Sequence, residues 1–223
     1  MSEPTRSDWD AGRFLQTLSY FEEIPVLNWL QKMLPGYSAS LPPQVQASLI
    51  FDFSQSTADL SSGWGAVDDV VMGGVSNSAF LNQGGVALFT GTVSTANSGG
   101  FASVRTRNFE PPLDLSRYQG IELFVKGDGQ CYKFLLRDQD AWDSLAYAYT
   151  FNTIAQQWIR VKIPFHQFTP VFRAKTVPDA PPVQAQHIRA LQLMLSKFEY
   201  DGALNPRFEP GEFRLALQSI GVF

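Results

Sequence analysis

Two carboxylates that are adjacent in the sequence, Asp68 and Asp69, are the strongest candidates for chemistry in this chain. Paired carboxyl groups can act as general acid and base, or bind a metal ion, when both point toward one site. In an extended segment, however, neighbouring side chains point to opposite faces, so these two are poorly placed to share a proton or a ligand. The alternative is a turn in which the carboxylates bond to backbone amides or to an arginine, and we predict a pair between Asp69 and Arg105.

Other residue types that often carry chemistry have no supporting pattern. Three aspartates within residues 138–143 are spaced like calcium ligands, but the segment lacks the glycine and the final glutamate of a helix-loop-helix calcium loop. His166 and His187 are far apart in the sequence. Cys131 is the single cysteine, and the chain has no Gly-x-Ser-x-Gly nucleophile motif and no phosphate loop. We therefore expect no catalytic residue, no metal site and no cofactor.

Residues 64–107 contain two glycine-rich segments, around which the rest of the chain is expected to be organised. Each contains a glycine pair, Gly73 with Gly74 and Gly99 with Gly100. Such pairs are typical of positive φ angles or close backbone approach, so we predict two tight loops that hold strands in register. The candidate partner-binding residues of these signature loops are Trp64, Asp68, Asp69, Met72, Gly73, Gly74, Ser76, Asn97, Gly99, Gly100, Phe101 and Arg105.

These segments also carry a resemblance to a known family. The sequences DDVVMGGVS at 68–76, FTG at 89–91 and NSGGFASVR at 97–105 closely resemble the signature of the complex I intermediate-associated protein 30 family. The similarity continues through GDG at 127–129 and GEF at 211–213, so that it covers about residues 48–223. The resemblance implies a jelly-roll β-sandwich of the galactose-binding type that assists assembly of membrane-bound electron-transfer complexes, with no established catalysis.

The composition excludes several other functions. The chain has 223 residues, of which 44% are hydrophobic, enough for one large β domain with an appendage. A net charge of −4 favours neither nucleic acid nor anionic lipid as a partner. No apolar run approaches the roughly 20 residues that cross a bilayer, and the N-terminus resembles neither a secretion signal nor a transit peptide. We expect a cytoplasmic protein, peripheral at most at the cytosolic face of an energy-transducing membrane.

The N-terminal part, residues 1–46, is predicted to be a helical extension with a linker. Ser7 or Asp10 can cap a helix that starts near Ala11, and residues 24–34 suggest a second short helix. The extension either docks on a partner or a membrane surface, or packs back on the sandwich. Its candidate docking residues are Phe14, Leu18, Phe21, Leu27, Trp29 and Leu30.

Residues 47–223 are predicted to form one all-β jelly-roll sandwich. Short apolar runs bounded by Gly, Pro, Asn or Asp indicate strands at 49–53, 86–92, 101–107, 121–126, 132–137, 145–151, 158–163, 188–196 and 213–220. Leu191, Leu193 and Leu195 alternate with polar or flexible residues, which indicates one buried face. Residues 164–182 are interpreted as a long, proline-rich connection.

Three functions are considered. The first, which the family resemblance implies, is a non-enzymatic assembly factor or chaperone that contacts subunits or assembly intermediates of a membrane electron-transfer complex. The alternative is a carbohydrate-binding module, because Tyr147, Tyr149 and Phe151 share one face of a strand close to Trp142 and could stack on sugar, although such aromatics also fill sandwich cores. A glycoside hydrolase that uses Asp68 is the third and weakest.

Overall fold

The computed structural model describes residues 10–20, 40–55, 59–141 and 144–223. Within these ranges one α-helix precedes thirteen β-strands and several short 3-10 turns. The helix and strands are α1 (Ala11–Tyr20), β1 (Leu49–Asp52), β2 (Trp64–Ala66), β3 (Asn77–Asn82), β4 (Ala87–Val93), β5 (Phe101–Thr106), β6 (Gly120–Lys126), β7 (Cys131–Arg137), β8 (Ala146–Asn152), β9 (Trp158–Pro164), β10 (Thr169–Phe172), β11 (Lys175–Thr176), β12 (Ala190–Ser196) and β13 (Gly211–Val222). The second predicted helix lies outside the described residues.

The strands form two antiparallel sheets. The six-stranded sheet has the order β3-β4-β13-β6-β9, with β1 also paired to β13, and the seven-stranded sheet has the order β11-β10-β8-β7-β12-β5-β2. Strands that are distant in sequence are neighbours in both sheets, as in β12 between β5 and β7. This is the predicted jelly-roll sandwich.

The core fills the space between the sheets and follows the predicted alternation. Leu191, Leu193 and Leu195 of β12 are fully buried, and Leu193 is paired with Val104 of β5 and with Phe134 of β7. Because successive side chains of a strand point to opposite faces, the residues between these leucines must lie on the outward face of the sheet.

That outward face is not a simple solvated surface. Leu135, Ala146, Ala148 and Val171 form a second cluster of buried apolar side chains there, and the half-buried Met194 and Tyr200 pack against it. A solvent-facing sheet surface normally carries polar residues, so the apolar cluster indicates a covered or ligand-binding face.

Helix α1 is attached to the sandwich beside the first signature loop. The Asp10 carboxylate accepts hydrogen bonds from the amides of Gly12 (2.8 Å) and Arg13 (3.1 Å), which confirms Asp10 as the cap. Phe14 is half-buried on this helix. The other predicted docking residues lie outside the described part of the chain, either entirely or in their side chains: Leu18, Phe21, Leu27, Trp29 and Leu30.

All nine predicted strands are present, but four others were missed. β10 and β11 form a hairpin inside the predicted connection 164–182, so the interpretation of that segment as irregular was wrong. Pro170 lies in β10, where it is tolerated because β11 is only two residues long and leaves β10 close to the sheet edge. Among the described residues, no helix is both long enough and apolar enough to span a lipid bilayer.

Candidate functional site

Asp69 lies at the centre of the two signature loops and is fully buried. Its Oδ1 accepts a hydrogen bond from the Ser76 amide (3.0 Å). Its Oδ2 accepts from the Ser76 hydroxyl (2.7 Å), the Gly100 amide (2.7 Å) and the Phe101 amide (3.2 Å). The Asp69 carboxylate therefore joins the loop before β3 to the loop before β5. Gly100, in the second loop, lies 31 residues after Asp69 in the sequence.

The glycine pairs allow this close approach. A Cβ atom at Gly74 would lie 2.3 Å from Cγ of Asp69, and one at Gly99 would lie 2.5 Å from its Oδ2. Gly73 ends the 3-10 turn Asp69–Met72 with a φ of 88°, a left-handed conformation that favours glycine. The predicted tight loops are thus confirmed, and they are built around a buried carboxylate.

Asp68 forms a second, separate network and is also buried. Its Oδ1 accepts from the Ser78 hydroxyl (2.6 Å) and the Ser103 amide (3.0 Å), while its Oδ2 accepts from the Ser78 amide (3.0 Å) and from Arg13 Nη2 (2.8 Å). Burial raises the pKa of Asp68 to about 6, although these hydrogen bonds and the charge of Arg13 oppose that rise. The Asp68 network connects helix α1, β3 and β5.

The predicted pair between Asp69 and Arg105 is wrong. The guanidinium of Arg105 donates to the side-chain oxygen of Asn108 (2.6 Å), and no ion pair in the described ranges joins it to Asp69. The arginine that meets a signature carboxylate is Arg13, which binds Asp68 from 55 residues away. The broader prediction, that these carboxylates bond to backbone amides or an arginine rather than share a proton, is confirmed.

The signature loops form one wall of a groove of about 550 Å³ on the outward face of the seven-stranded sheet. Met72 and Phe101 line this wall, and Met72 is 68% exposed. The floor includes Leu135, Val171 and Met194 from β7, β10 and β12. A volume of this size is within the range of ligand-binding clefts.

A second wall segment, residues 197–200, begins beside the second signature loop, where the Lys197 amide donates to the Gly100 carbonyl (2.8 Å). A buried lysine holds this segment in place. Lys133 Nζ donates to the carbonyls of Phe198 (2.6 Å) and Glu199 (2.9 Å) and lies 4.1 Å from the ring centroid of Tyr200. Burial lowers the pKa of Lys133 to about 8, while Glu199 opposes that change. Asn205 donates to the carbonyl of Ser196, just before this segment, and to that of Cys131 in β7, which anchors the chain around the wall to the sheet.

Basic side chains outnumber acidic ones among the described residues that line the groove. Five cationic side chains and one carboxylate are among the described residues that line it: Arg105, Lys133, Arg137, Arg173, Lys197 and Glu199. These charges are partly satisfied within the chain, since Lys133 Nζ lies 3.9 Å from the Glu199 carboxylate and Arg105 donates to Asn108.

The predicted signature residues divide into two groups. One group lines the groove: Met72, Gly99, Gly100, Phe101 and Arg105. The other supports it from behind or shapes the loops: Trp64, Asp68, Asp69, Gly73, Gly74, Ser76 and Asn97. Four residues of the groove were not predicted as site residues from the sequence: Lys133, Leu135, Met194 and Tyr200. Apolar residues on the outward faces of β7 and β12 were the available signal.

The predicted row of sugar-stacking aromatics is wrong for its described members. Tyr147 is 1% exposed with its ring in the core, and its hydroxyl donates to the Pro181 carbonyl. Tyr149 is half-buried, and its ring packs against Phe168 with a centroid distance of 6.3 Å. Trp142 lies outside the described residues. The outward positions of β8 carry alanines instead, so this strand has no aromatic platform facing the groove.

The remaining candidates are occupied by contacts within the chain. Asp140 pairs with Arg189 at 2.5 Å, and Asp138 accepts a hydrogen bond from the Gln184 amide. Cys131 is buried, and burial with the nearby Glu199 raises the pKa of its thiol to about 11, which disfavours the nucleophilic thiolate. No cluster of metal-ligating side chains occurs among the residues that the structure describes.

Comparisons with known proteins agree with this fold. An uncharacterized protein of Schizosaccharomyces pombe is 32% identical over 171 residues, which span 70% of this chain and 75% of that protein. The family 11 carbohydrate-binding module of a Clostridium thermocellum cellulosomal cellulase is 16% identical, with a TM-score of 0.56 over 81% of this chain and 95% of that one. The same type of module in complex with a mixed-linked tetrasaccharide is also 16% identical and gives a TM-score of 0.54 over 78% and 93% of the two chains.

The two carbohydrate-binding modules establish the architecture, since their sequence identity is too low to carry more than the fold. The sequence match is more specific. Residues 51–217, which include both signature loops and most strands of the two sheets, match the family described as complex I intermediate-associated protein 30. The chain therefore belongs to the complex I intermediate-associated protein 30 family.

Proposed function

We propose that the protein is a non-enzymatic assembly factor that binds a subunit or assembly intermediate of a membrane-bound electron-transfer complex through the groove. Family membership supports the class of function. The observation that carries the proposed mode of binding is the apolar floor of Leu135, Val171 and Met194 between two fixed walls on an outward sheet face. Apolar surface in such a place is typical of a protein-binding site.

The signature carboxylates support binding rather than catalysis. Every oxygen of Asp68 and Asp69 accepts at least one hydrogen bond from the chain itself. Their role is to hold the wall that carries Met72 and Phe101 in position over the floor. In the proposed mechanism the groove covers an exposed surface of the intermediate until the next subunit replaces it.

The proposed place of action is the cytoplasm, at the cytosolic face of an energy-transducing membrane. The client is then a subunit that is exposed to the cytosol before its complex is complete. Binding must be reversible, since the factor leaves before the complex is complete, and a groove of this size is compatible with a transient contact.

Affinity capture from mildly solubilised membranes of the source cells tests this proposal. We expect subunits of one electron-transfer complex to be enriched with the wild-type protein. Met72→Glu places a charge on the exposed groove wall and should reduce that enrichment at least about fivefold, which corresponds to about 1 kcal/mol.

Leu81→Glu is the matched control, because Leu81 is 52% exposed on β3 of the other sheet. Its enrichment should equal that of the wild type. Equal losses in both variants, or capture of soluble glycoproteins instead of complex subunits, would contradict the proposal.

A further inference from the structure

We propose that the groove receives an aromatic side chain of the client that carries an N–H or O–H group, a tyrosine or a tryptophan, and that Gln192 accepts its hydrogen bond. This inference rests on the proposed function, because it specifies the chemistry of the client at the same site. It depends on a buried acceptor in the groove lining that has no donor in the described part of the chain.

The side-chain amide of Gln192 is held in one orientation. Gln192 faces outward on β12, between the core residues Leu191 and Leu193, and it lines the groove while being only 3% exposed. Its Nε2 donates to the Ser103 hydroxyl (3.0 Å), and that hydroxyl donates in turn to the Val67 carbonyl. Because Ser103 has no second proton to donate, the amide cannot turn its oxygen toward Ser103, and Oε1 is directed away from it.

This arrangement leaves Gln192 Oε1 buried without a hydrogen bond. Buried acceptors of this kind are rare, and they destabilise the folded protein. A ligand that donates to Oε1 recovers that loss, whereas a ligand with no donor recovers nothing there. Since the oxygen is covered, an incoming ring must displace a side chain of the floor, and the half-buried thioether of Met194, the next outward residue of β12, is flexible enough to move.

The surface around Gln192 favours an aromatic ring. Leu135, its register neighbour on β7, is buried together with Val171, and Met194 and Tyr200 pack against them. Thioether sulfur and ring faces both make favourable contacts with an aromatic ring. Tyrosine and tryptophan combine a large apolar surface with one donor, which matches this floor and its single free acceptor, and they often anchor protein interfaces in pockets.

Methionine-methyl NMR on the full-length protein tests the inference. The chain has four methionines, of which Met72 and Met194 line the groove. Protein labelled with ¹³C at the methionine methyl groups is titrated with N-acetyltyrosinamide, with N-acetyltryptophanamide, and with N-acetylphenylalaninamide as the matched compound that lacks a donor. The Met194 signal, assigned from Met194→Leu, should show saturable ring-current shifts. The Kd of the tyrosine compound should be about fivefold lower than that of the phenylalanine compound, as expected for one neutral hydrogen bond.

Equal Kd values for the tyrosine and phenylalanine compounds, or no shift of the Met194 signal with any compound, would overturn the inference. This comparison uses the wild-type protein alone, so it does not depend on how well any variant folds.

Gln192→Met provides the second arm, because it removes the acceptor and keeps an unbranched side chain of similar length. The Ser103 hydroxyl can still donate to Val67 in this variant. The preference for the tyrosine compound should disappear, while the phenylalanine compound binds as it does to the wild type. Gln157→Met is the matched control, because Gln157 is exposed just before β9 of the other sheet, and it should keep the preference. A preference that survives in Gln192→Met would contradict the inference.

Capture from source-cell membranes separates this inference from the proposed function. Gln192→Met should reduce the enrichment of complex subunits about fivefold. If it captures them as well as the wild type does, while Met72→Glu does not, the groove is the client site and recognition of a donor is refuted. If no subunits are captured although the tyrosine preference depends on Gln192, the chemistry of the site stands and the proposed function falls. Full capture by both variants, together with compound binding, would mean that the groove serves a small aromatic ligand, which contradicts both proposals.

Discussion

Replacing Asp69 with alanine should remove the central support of the signature loops. Three backbone amides, those of Ser76, Gly100 and Phe101, donate to this carboxylate, together with the Ser76 hydroxyl. Asp69 itself has no exposed surface, and its bonds to Ser76 and Gly100 are buried. Alanine leaves these amides without their acceptor.

The expected cost follows from those lost partners. Leaving a buried donor unsatisfied costs about 1–3 kcal/mol, so the two fully buried amides predict a loss of about 2–6 kcal/mol in the free energy of unfolding. That is a large share of the roughly 5–15 kcal/mol that stabilises a typical folded protein. Asp69→Asn should cost less, about 1–3 kcal/mol. With its amide oxygen at the Oδ2 position, asparagine still accepts the bonds made there, and only the Ser76 amide then faces an NH₂ group in place of Oδ1.

Equilibrium unfolding in urea, followed by tryptophan fluorescence, measures these differences. Asp114→Ala is the matched control, because Asp114 accepts a hydrogen bond from the Ser116 amide (2.9 Å) at the protein surface. Its loss should stay within about 1 kcal/mol. If Asp69→Ala destabilises the protein no more than Asp114→Ala does, or if Asp69→Asn costs more than Asp69→Ala, the Asp69 carboxylate is not the central support of the loops.

Arg13→Gln removes the cation that lowers the pKa of Asp68. Urea unfolding at a series of pH values should therefore show a lower free energy of unfolding than the wild type above about pH 6, and the difference should shrink at lower pH as Asp68 becomes protonated. Lys133→Met leaves the carbonyls of the groove wall without their donor, and hydrogen-exchange mass spectrometry should show faster exchange at residues 197–205. Tyr147→Ala opens a cavity in the core and should cost about 3–5 kcal/mol in a urea titration, with no saturable glycan binding in either protein.

Each of these has a contrary outcome. Burial raises the pKa of Asp68 in the folded protein, so the folded state is favoured when this carboxyl group is protonated. That contribution to stability is fully present below the ordinary carboxyl pKa and is lost as pH rises through about 6. An effect of Arg13→Gln that does not change with pH would therefore refute a charge interaction. Unchanged exchange in Lys133→Met would refute its role in the wall, and a fully stable Tyr147→Ala protein that lost glycan binding would restore the carbohydrate-binding alternative.

Local patterns predicted the strands well and their long-range contacts poorly. The alternation in β12 correctly placed Leu191, Leu193 and Leu195 on one buried face. The same alternation in β8 could not show whether Tyr147 and its neighbours face the core or a ligand, because period-two spacing is identical for both faces of a strand. Only the pairing of β8 with β7 and β10 decides which face meets the other sheet.

Only the loops of the candidate site were predicted from the sequence, because the rest of the site depends on long-range contacts. Arg13 reaches Asp68 across 55 residues, and no spacing rule connects a helix cap to a glycine loop. β3 was missed because polar residues at both ends of its short sequence, NSAFLN, hide the strand pattern. The groove combines outward residues of five strands with two loop walls, an arrangement that exists only once the sheet order is known.

Site-specific photo-crosslinking in source-cell membranes shows whether the groove holds the client. A benzoylphenylalanine replaces Phe198 on the groove wall in one protein and Ile154, which is 53% exposed on the turn after β8, in the other. We expect the probe at 198 to form a crosslink to one subunit of a membrane electron-transfer complex and the probe at 154 to form none. The opposite pattern, or equal crosslinking from both positions, would contradict it.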